Sequence, residues 1–128
     1  MNVNVEISIG EFFDKLTILE IKRERIQQAD KLDNINKELD ALNALLEQLP
    51  FSRADVADEV NELKSINEKL WVIEDDIRDK EAAKAFDQEF IELARSVYFT
   101  NDKRSDVKRD INIKLGSSFI EEKSYEEY

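Results

Sequence analysis

The chain contains neither cysteine nor histidine. The first absence excludes disulfides, thiolate metal sites and cysteine nucleophiles. The second removes the commonest zinc ligand and the commonest general base, which narrows the ways in which this protein can be an enzyme. Only 2 glycines and 1 proline occur, too few for the tight turns of hairpins and sandwiches, so long helices are the natural alternative. No apolar run approaches the length needed to cross a bilayer, and Met1 to Gly10 has no basic region followed by an apolar core. The expectation is a cytoplasmic protein that is neither exported nor membrane-spanning.

What the sequence has in abundance is charge. Charged residues make up 38% and hydrophobic residues 41% of 128 residues, enough apolar content for one hydrophobic core and one domain over residues 1–128. The net charge of -11 argues against long nucleic acids and anionic lipid as partners of the surface as a whole.

Helical spacing of apolar residues organises most of the chain. Val3, Val5, Ile7 and Ile9 alternate with polar residues in a short extended arm. Ser8 and Glu11 then stand at the capping-box spacing before a first helix from Glu11 to about Gln28. After a polar break at Ala29 to Asn34, Ile35, Leu39, Leu42, Leu46 and Leu49 follow a coiled-coil seam that must stop near Pro50. Ser52 and Asp55 cap a long third helix carrying Val56, Val60, Leu63, Ile66, Leu70, Ile73 and Ile77. Phe86, Phe90, Leu93 and Val97 mark a fourth helix. The capping residues Thr100, Asn101 and Asp102 then predict a break before a fifth, which has Val107, Ile111 and Leu115 inward and Gly116 as its stop. The expected fold is an all-α antiparallel helical bundle of about five helices, with long first and third helices and residues 117–128 as a tail. The third helix exceeds what a minimal domain needs, which points to a homo-oligomer.

The sharpest local departure lies between Arg95 and Lys114, where six basic residues stand against Asp102, Asp106 and Asp110. Arg95, Tyr98, Asn101, Arg104 and Lys108 together offer guanidinium forks, an ammonium, a phenol and, at a helix start beside Asn101, backbone N–H donors, the groups that surround a phosphate. Ordinary pairing with the interspersed aspartates and with acids on neighbouring helices is the alternative. A second constellation, Asn67, Trp71, Glu74 and Arg78, recurs along one face of the third helix. Trp71 and Arg78 there suit stacking on and clamping a planar ring, or simply packing and a helical ion pair.

Carboxylate pairs at three-residue spacing, Glu59 with Glu62 and Glu89 with Glu92, with Glu74, Asp75 and Asp76 nearby, raise magnesium-dependent phosphohydrolysis as an alternative. In a helical chain with 30 acidic residues such pairs arise by chance. No glycine-rich phosphate loop, Walker lysine or nucleophile elbow is present. No catalytic residue, cofactor or bound metal is therefore expected.

The stretches IGEFFDKLTILEIKRERI at Ile9–Ile26, LWVIEDDIR at Leu70–Arg78, FDQEFIELARSVYFTNDKR at Phe86–Arg104 and EEKSY at Glu121–Tyr125 resemble a family of small uncharacterised all-helical proteins of bacteria and their tailed phages. The resemblance implies no activity. It draws attention to the polar positions Glu11, Asp14, Lys15, Arg78, Arg95, Asn101, Asp102, Arg104 and Lys123. In a phage setting, in the host cytoplasm, it suggests sequestration of a cyclic nucleotide used as a defence signal. Three readings follow: a non-enzymatic module that binds a phosphate-bearing small molecule, an adaptor that mates through its leucine seam, and the phosphohydrolase.

Overall fold

A computed structural model describes residues 1–128 and contains four α-helices, one 3-10 turn and no strand. Helix α1 spans Ile9–Arg25, α2 Ala29–Gln48, α3 Ala57–Ala82 and α4 Gln88–Leu115, with the 3-10 turn Arg53–Val56 leading into α3. No helix is long and apolar enough to cross a membrane.

Each boundary has a chemical cause. At the start of α1 the Ser8 hydroxyl accepts from the Glu11 N–H at 3.1 Å. The reciprocal half of the expected capping box is not used, because the Glu11 carboxylate reaches across to α4. The polar stretch Ala29 to Asn34, expected as a break, is helical and forms the first turns of α2. All of its residues but the half-buried Leu32 are exposed, and a helix requires only one face to be apolar. The actual interruption is Ile26 to Gln28. Ser52 donates its backbone N–H to Asp55 Oδ2 at 2.8 Å, which caps the 3-10 turn.

Helix α3 ends in a Schellman closure, with Ala85 N–H donating to the Lys80 carbonyl and Lys84 N–H to that of Glu81. Lys84 takes the left-handed position there, at φ 52. Three residues after Lys84, Asp87 caps α4, its Oδ1 accepting from the Phe90 N–H at 2.9 Å. At the far end Gly116 adopts φ 69 and closes α4 in the same way.

The largest correction concerns α4. The expected fourth and fifth helices are one unbroken helix of 28 residues, so the chain has four helices and not about five. The capping residues Thr100, Asn101 and Asp102 lie in its interior, where they cost only about 0.5 kcal/mol each in propensity. Thr100 is buried, Asn101 accepts from Arg104, and Asp102 accepts from Tyr128. With no glycine or proline to stop it, the helix continues because Phe90, Leu93, Val97, Thr100, Val107 and Ile111 keep a single seam in register. The first helix, expected to be long, is the shortest of the four at 17 residues.

Helix α1 touches each of the other three, and α3 and α4 pack along one another. The core gathers around α1, with Phe12, Phe13, Leu16 and Leu19 meeting Ile35 and Leu39 of α2, Val56 before α3, Val60 and Leu63 of α3, and Val107 and Ile111 of α4. Each such side chain contributes roughly 1.5–3 kcal/mol when fully buried. The leucine seam of α2 packs on this same core through Leu42, Leu46 and Leu49. Beyond Ile73 on α3 and before Thr100 on α4 no side chain is buried, and Phe86, Ile91, Tyr98 and Phe99 face solvent there.

Candidate functional site

Three helices converge on a single buried carboxylate. Asp14 stands on the inward stripe of α1 with Gly10, Phe13, Thr17 and Ile21, at spacings of three and four, and is 1% exposed. A charge so placed must be compensated. From α4, Arg104 Nε donates to Asp14 Oδ1 at 2.9 Å, and its Nη2 to Oδ2, forming a side-on fork. From α3, Asn67 Nδ2 donates to the same Oδ1 at 2.9 Å and to Thr17 Oγ1 at 3.2 Å. The hydrogen bond to Asp14 raises the Arg104 pKa further above its ordinary value, against the opposing effect of burial.

One helical turn along α4, Lys108 collects carboxylates. Its Nζ lies 2.7 Å from Glu11 Oε2, 3.5 Å from Glu121 Oε2 and 3.9 Å from Asp14 Oδ2. The approach of α1 to α4 that permits this depends on Gly10. Its N–H donates to Asn112 Oδ1 at 2.6 Å, and a Cβ at this position would stand 2.5 Å from the Lys108 carbonyl oxygen.

The tail, residues 117–128, has no helix and runs along α4. Glu121 accepts from the Ser8 hydroxyl at 2.6 Å, Glu122 pairs with Arg109 at 3.0 Å and Lys123 with Asp102 at 3.5 Å. The Tyr128 hydroxyl donates to Asp102, and its ring meets those of Tyr98 and Phe99 at 5.1 and 4.7 Å. The Asp102 carboxylate pushes the Tyr128 phenol up to about 12.

Two open clefts result. The first, of about 610 Å³, lies between α4 and the tail, with Tyr98, Lys108, Lys123, Tyr125 and Tyr128 in its walls. The second, of about 500 Å³, lies among α1, α3 and α4, with Ile18, Trp71, Glu74, Asp75 and Arg78 in its walls. Asn101 and Arg104 line both. Helix packing thus joins two constellations that are separate in the sequence.

Of the residues singled out from sequence, Tyr98, Asn101, Arg104 and Lys108 meet in the first cleft, and Trp71 and Arg78 in the second. Arg95 lines neither. It pairs with Glu92 at 3.3 Å and lies over the Phe99 ring. Arg78 makes an exposed helical pair with Glu74 at 3.7 Å. The backbone donors expected beside Asn101 are not free, because there is no helix start there and the N–H groups bond within α4. Arg104 and Lys108 are paired with acids of α1 and the tail, not with the interspersed Asp106 and Asp110.

The carboxylate pairs considered for magnesium do not converge. Glu59 faces Lys114 at 3.0 Å, Glu89 faces Lys80 at 2.9 Å, and no group of three or more carboxylates is arranged to hold a metal ion. Sequence spacing missed Gly10, Thr17, Asn112 and Glu121. The signal available for the network was Asp14 itself, a charged residue on an otherwise apolar stripe.

No curated protein and no solved structure matches the chain. A family profile covering residues 3–128 matches, and the chain belongs to that family of unknown function, DUF6165.

Proposed function

We propose that this chain is a non-enzymatic binding module that sequesters a phosphate-bearing small molecule at the junction of the two clefts. One observation carries the reading: Arg104 is locked by a buried partner while keeping donors unspent. Of the five N–H donors of a guanidinium, Asp14 takes two, and Asn101 Oδ1 engages Nη1 at a long 3.4 Å. Arg104 lines both clefts. An arginine fixed from behind loses little entropy on binding an anion, which favours recognition over catalysis. The aromatic walls supply stacking surface for a nucleobase.

In this reading the chain acts as one antiparallel helical bundle in the cytoplasm, and a cyclic oligonucleotide signal in a phage-encoded, anti-defence setting is one candidate ligand. Thermal-shift measurement against nucleotides and inorganic phosphate tests it. Stabilisation by a nucleotide, abolished in the double variant Asp14→Asn, Arg104→Gln, supports the proposal. No stabilisation by any phosphorylated compound overturns it. At a ligand concentration of ~100 times Kd the expected stabilisation is about 2.7 kcal/mol.

A second reading has its own observation. The exposed apolar side chains Phe86, Ile91 and Phe99 on the distal part of the α3–α4 pair suit contact with another protein or a second copy. Native mass measurement at increasing concentration distinguishes a homo-oligomer from a monomer.

A further inference from the structure

The charge and shape of the two clefts together restrict what can occupy them. The first is lined by three cations, Arg104, Lys108 and Lys123, against three anions, Asp102, Glu121 and Glu126. The second is lined by Arg78 and Arg104 against Glu74 and Asp75. Each lining taken alone is formally neutral, but Arg104 is common to both, so the joint lining holds four cations against five anions, within a chain of net charge -11. A triphosphate would bring several negative charges to a site with no surplus cation to meet them, and the whole-chain field would repel it. A phosphodiester carries a single charge, which the unspent donors of Arg104 can meet.

Both clefts also have aromatic walls, Trp71 in one and Tyr98, Tyr125 and Tyr128 in the other. Their volumes each fall within the roughly 300–1,000 Å³ range of small-molecule sites. An aromatic surface on each side of one shared arginine matches a ligand with two planar groups joined by one anionic link.

We infer that the ligand is a dinucleotide whose phosphodiester lies on Arg104 and Asn101, with one base against Trp71 and the other against the tyrosine wall. This rests on the proposed binding of a phosphate-bearing molecule at the junction and narrows it to two bases joined by one phosphodiester, which sets aside a cyclic oligonucleotide with its additional phosphate. Glu74 and Asp75 beside Trp71 offer acceptors for exocyclic amino groups, as on adenine, whereas a second phosphate there would meet like charge.

The test uses the full chain and three probes: adenosine monophosphate, adenosine triphosphate and the linear dinucleoside monophosphate of two adenosines. Trp71 is the only tryptophan, so its fluorescence reports occupancy of the second cleft without any substitution. The expected result is quenching by the dinucleotide at a Kd about tenfold or more below that of either mononucleotide, the size of one added base–aromatic stack. Calorimetry gives the affinities of the Trp71 variants, which lack the fluorophore: Trp71→Ala brings the dinucleotide to the affinity of the monophosphate, and Trp71→Phe retains the advantage. If the mononucleotides bind and the dinucleotide binds no more tightly, the two-base inference is overturned while the binding reading stands. If none of the three binds and inorganic phosphate gives no thermal shift, both fall. Should Trp71→Ala fail to fold, quenching in the unmodified chain and the affinity ratio in Trp71→Phe decide.

Discussion

Asp14 and Arg104, ninety positions apart in the chain, meet side-on across the interface of α1 and α4, with the carboxylate 1% exposed. Breaking a buried pair by removing one member leaves the other charge uncompensated, at a cost of roughly 3–5 kcal/mol. Asp14→Ala and Arg104→Ala are each expected to lower stability by about that much in urea denaturation. The double change Asp14→Leu, Arg104→Met should cost less than either alone. Single losses below about 1 kcal/mol would mean that water reaches the pair freely.

Gly10 sets the distance between the same two helices. In Gly10→Ala the new methyl must displace the Lys108 backbone, since the conflict is with a carbonyl oxygen and not with the end of a flexible side chain. The expected loss is about 1–3 kcal/mol. It should be accompanied in proton NMR by shifts at Lys108 and Asn112, and an unaltered melting temperature would contradict the close approach.

Lys84 is expected to improve when replaced. Its φ of 52 is a conformation that side chains bearing a Cβ adopt at some cost, and glycine relieves that cost at the closing position of a helix. Lys84→Gly should raise stability by about 0.5–1 kcal/mol after allowing for the greater freedom of glycine in the unfolded chain. A destabilisation would show that the lysine side chain makes a compensating contribution.

The tail carries a pH signature. The Tyr128 phenol is raised to about 12 because a phenolate would face the Asp102 carboxylate. A raised value means that the folded chain favours the neutral hydroxyl. Its contribution is therefore complete below the ordinary value of 10.0 and is lost as pH rises through about 12. An NMR titration of the tyrosine rings should show a late-ionising signal that vanishes in Tyr128→Phe and moves earlier in Asp102→Asn.

Helical spacing carried the reading of the fold wherever local patterns suffice. The cap at Ser8, the stop at Pro50, the Ser52–Asp55 cap and the Gly116 closure all depend on residues within a few positions of one another. The false break at Thr100 to Asp102 has the same origin, read in the wrong direction. Those residue types cap helices in isolation, but in this chain Asn101 and Asp102 are claimed by Arg104, Lys123 and Tyr128, and Thr100 is buried. Arg104 and Lys108 were visible as a basic excess, yet their partners Asp14, Glu11 and Glu121 lie on α1 and the tail, at separations no spacing rule reaches. Trp71 and Arg104 line one cleft only because α3 packs along α4.

The unbroken course of α4 through Asn101 and Arg104 bears on the timing of recognition. A helix without a glycine, proline or break at this point has no hinge, and its residues are fixed relative to one another by continuous backbone hydrogen bonding. The opposite wall of the first cleft is a segment without regular structure, attached by ion pairs, by the hydrogen bonds Ser8–Glu121 and Tyr128–Asp102, and by two aromatic edge contacts of Tyr128. Shape adjustment is therefore confined to the tail. In the proposed binding, a ligand entering there would have its association rate governed by tail displacement and its residence time by the rigid arginine.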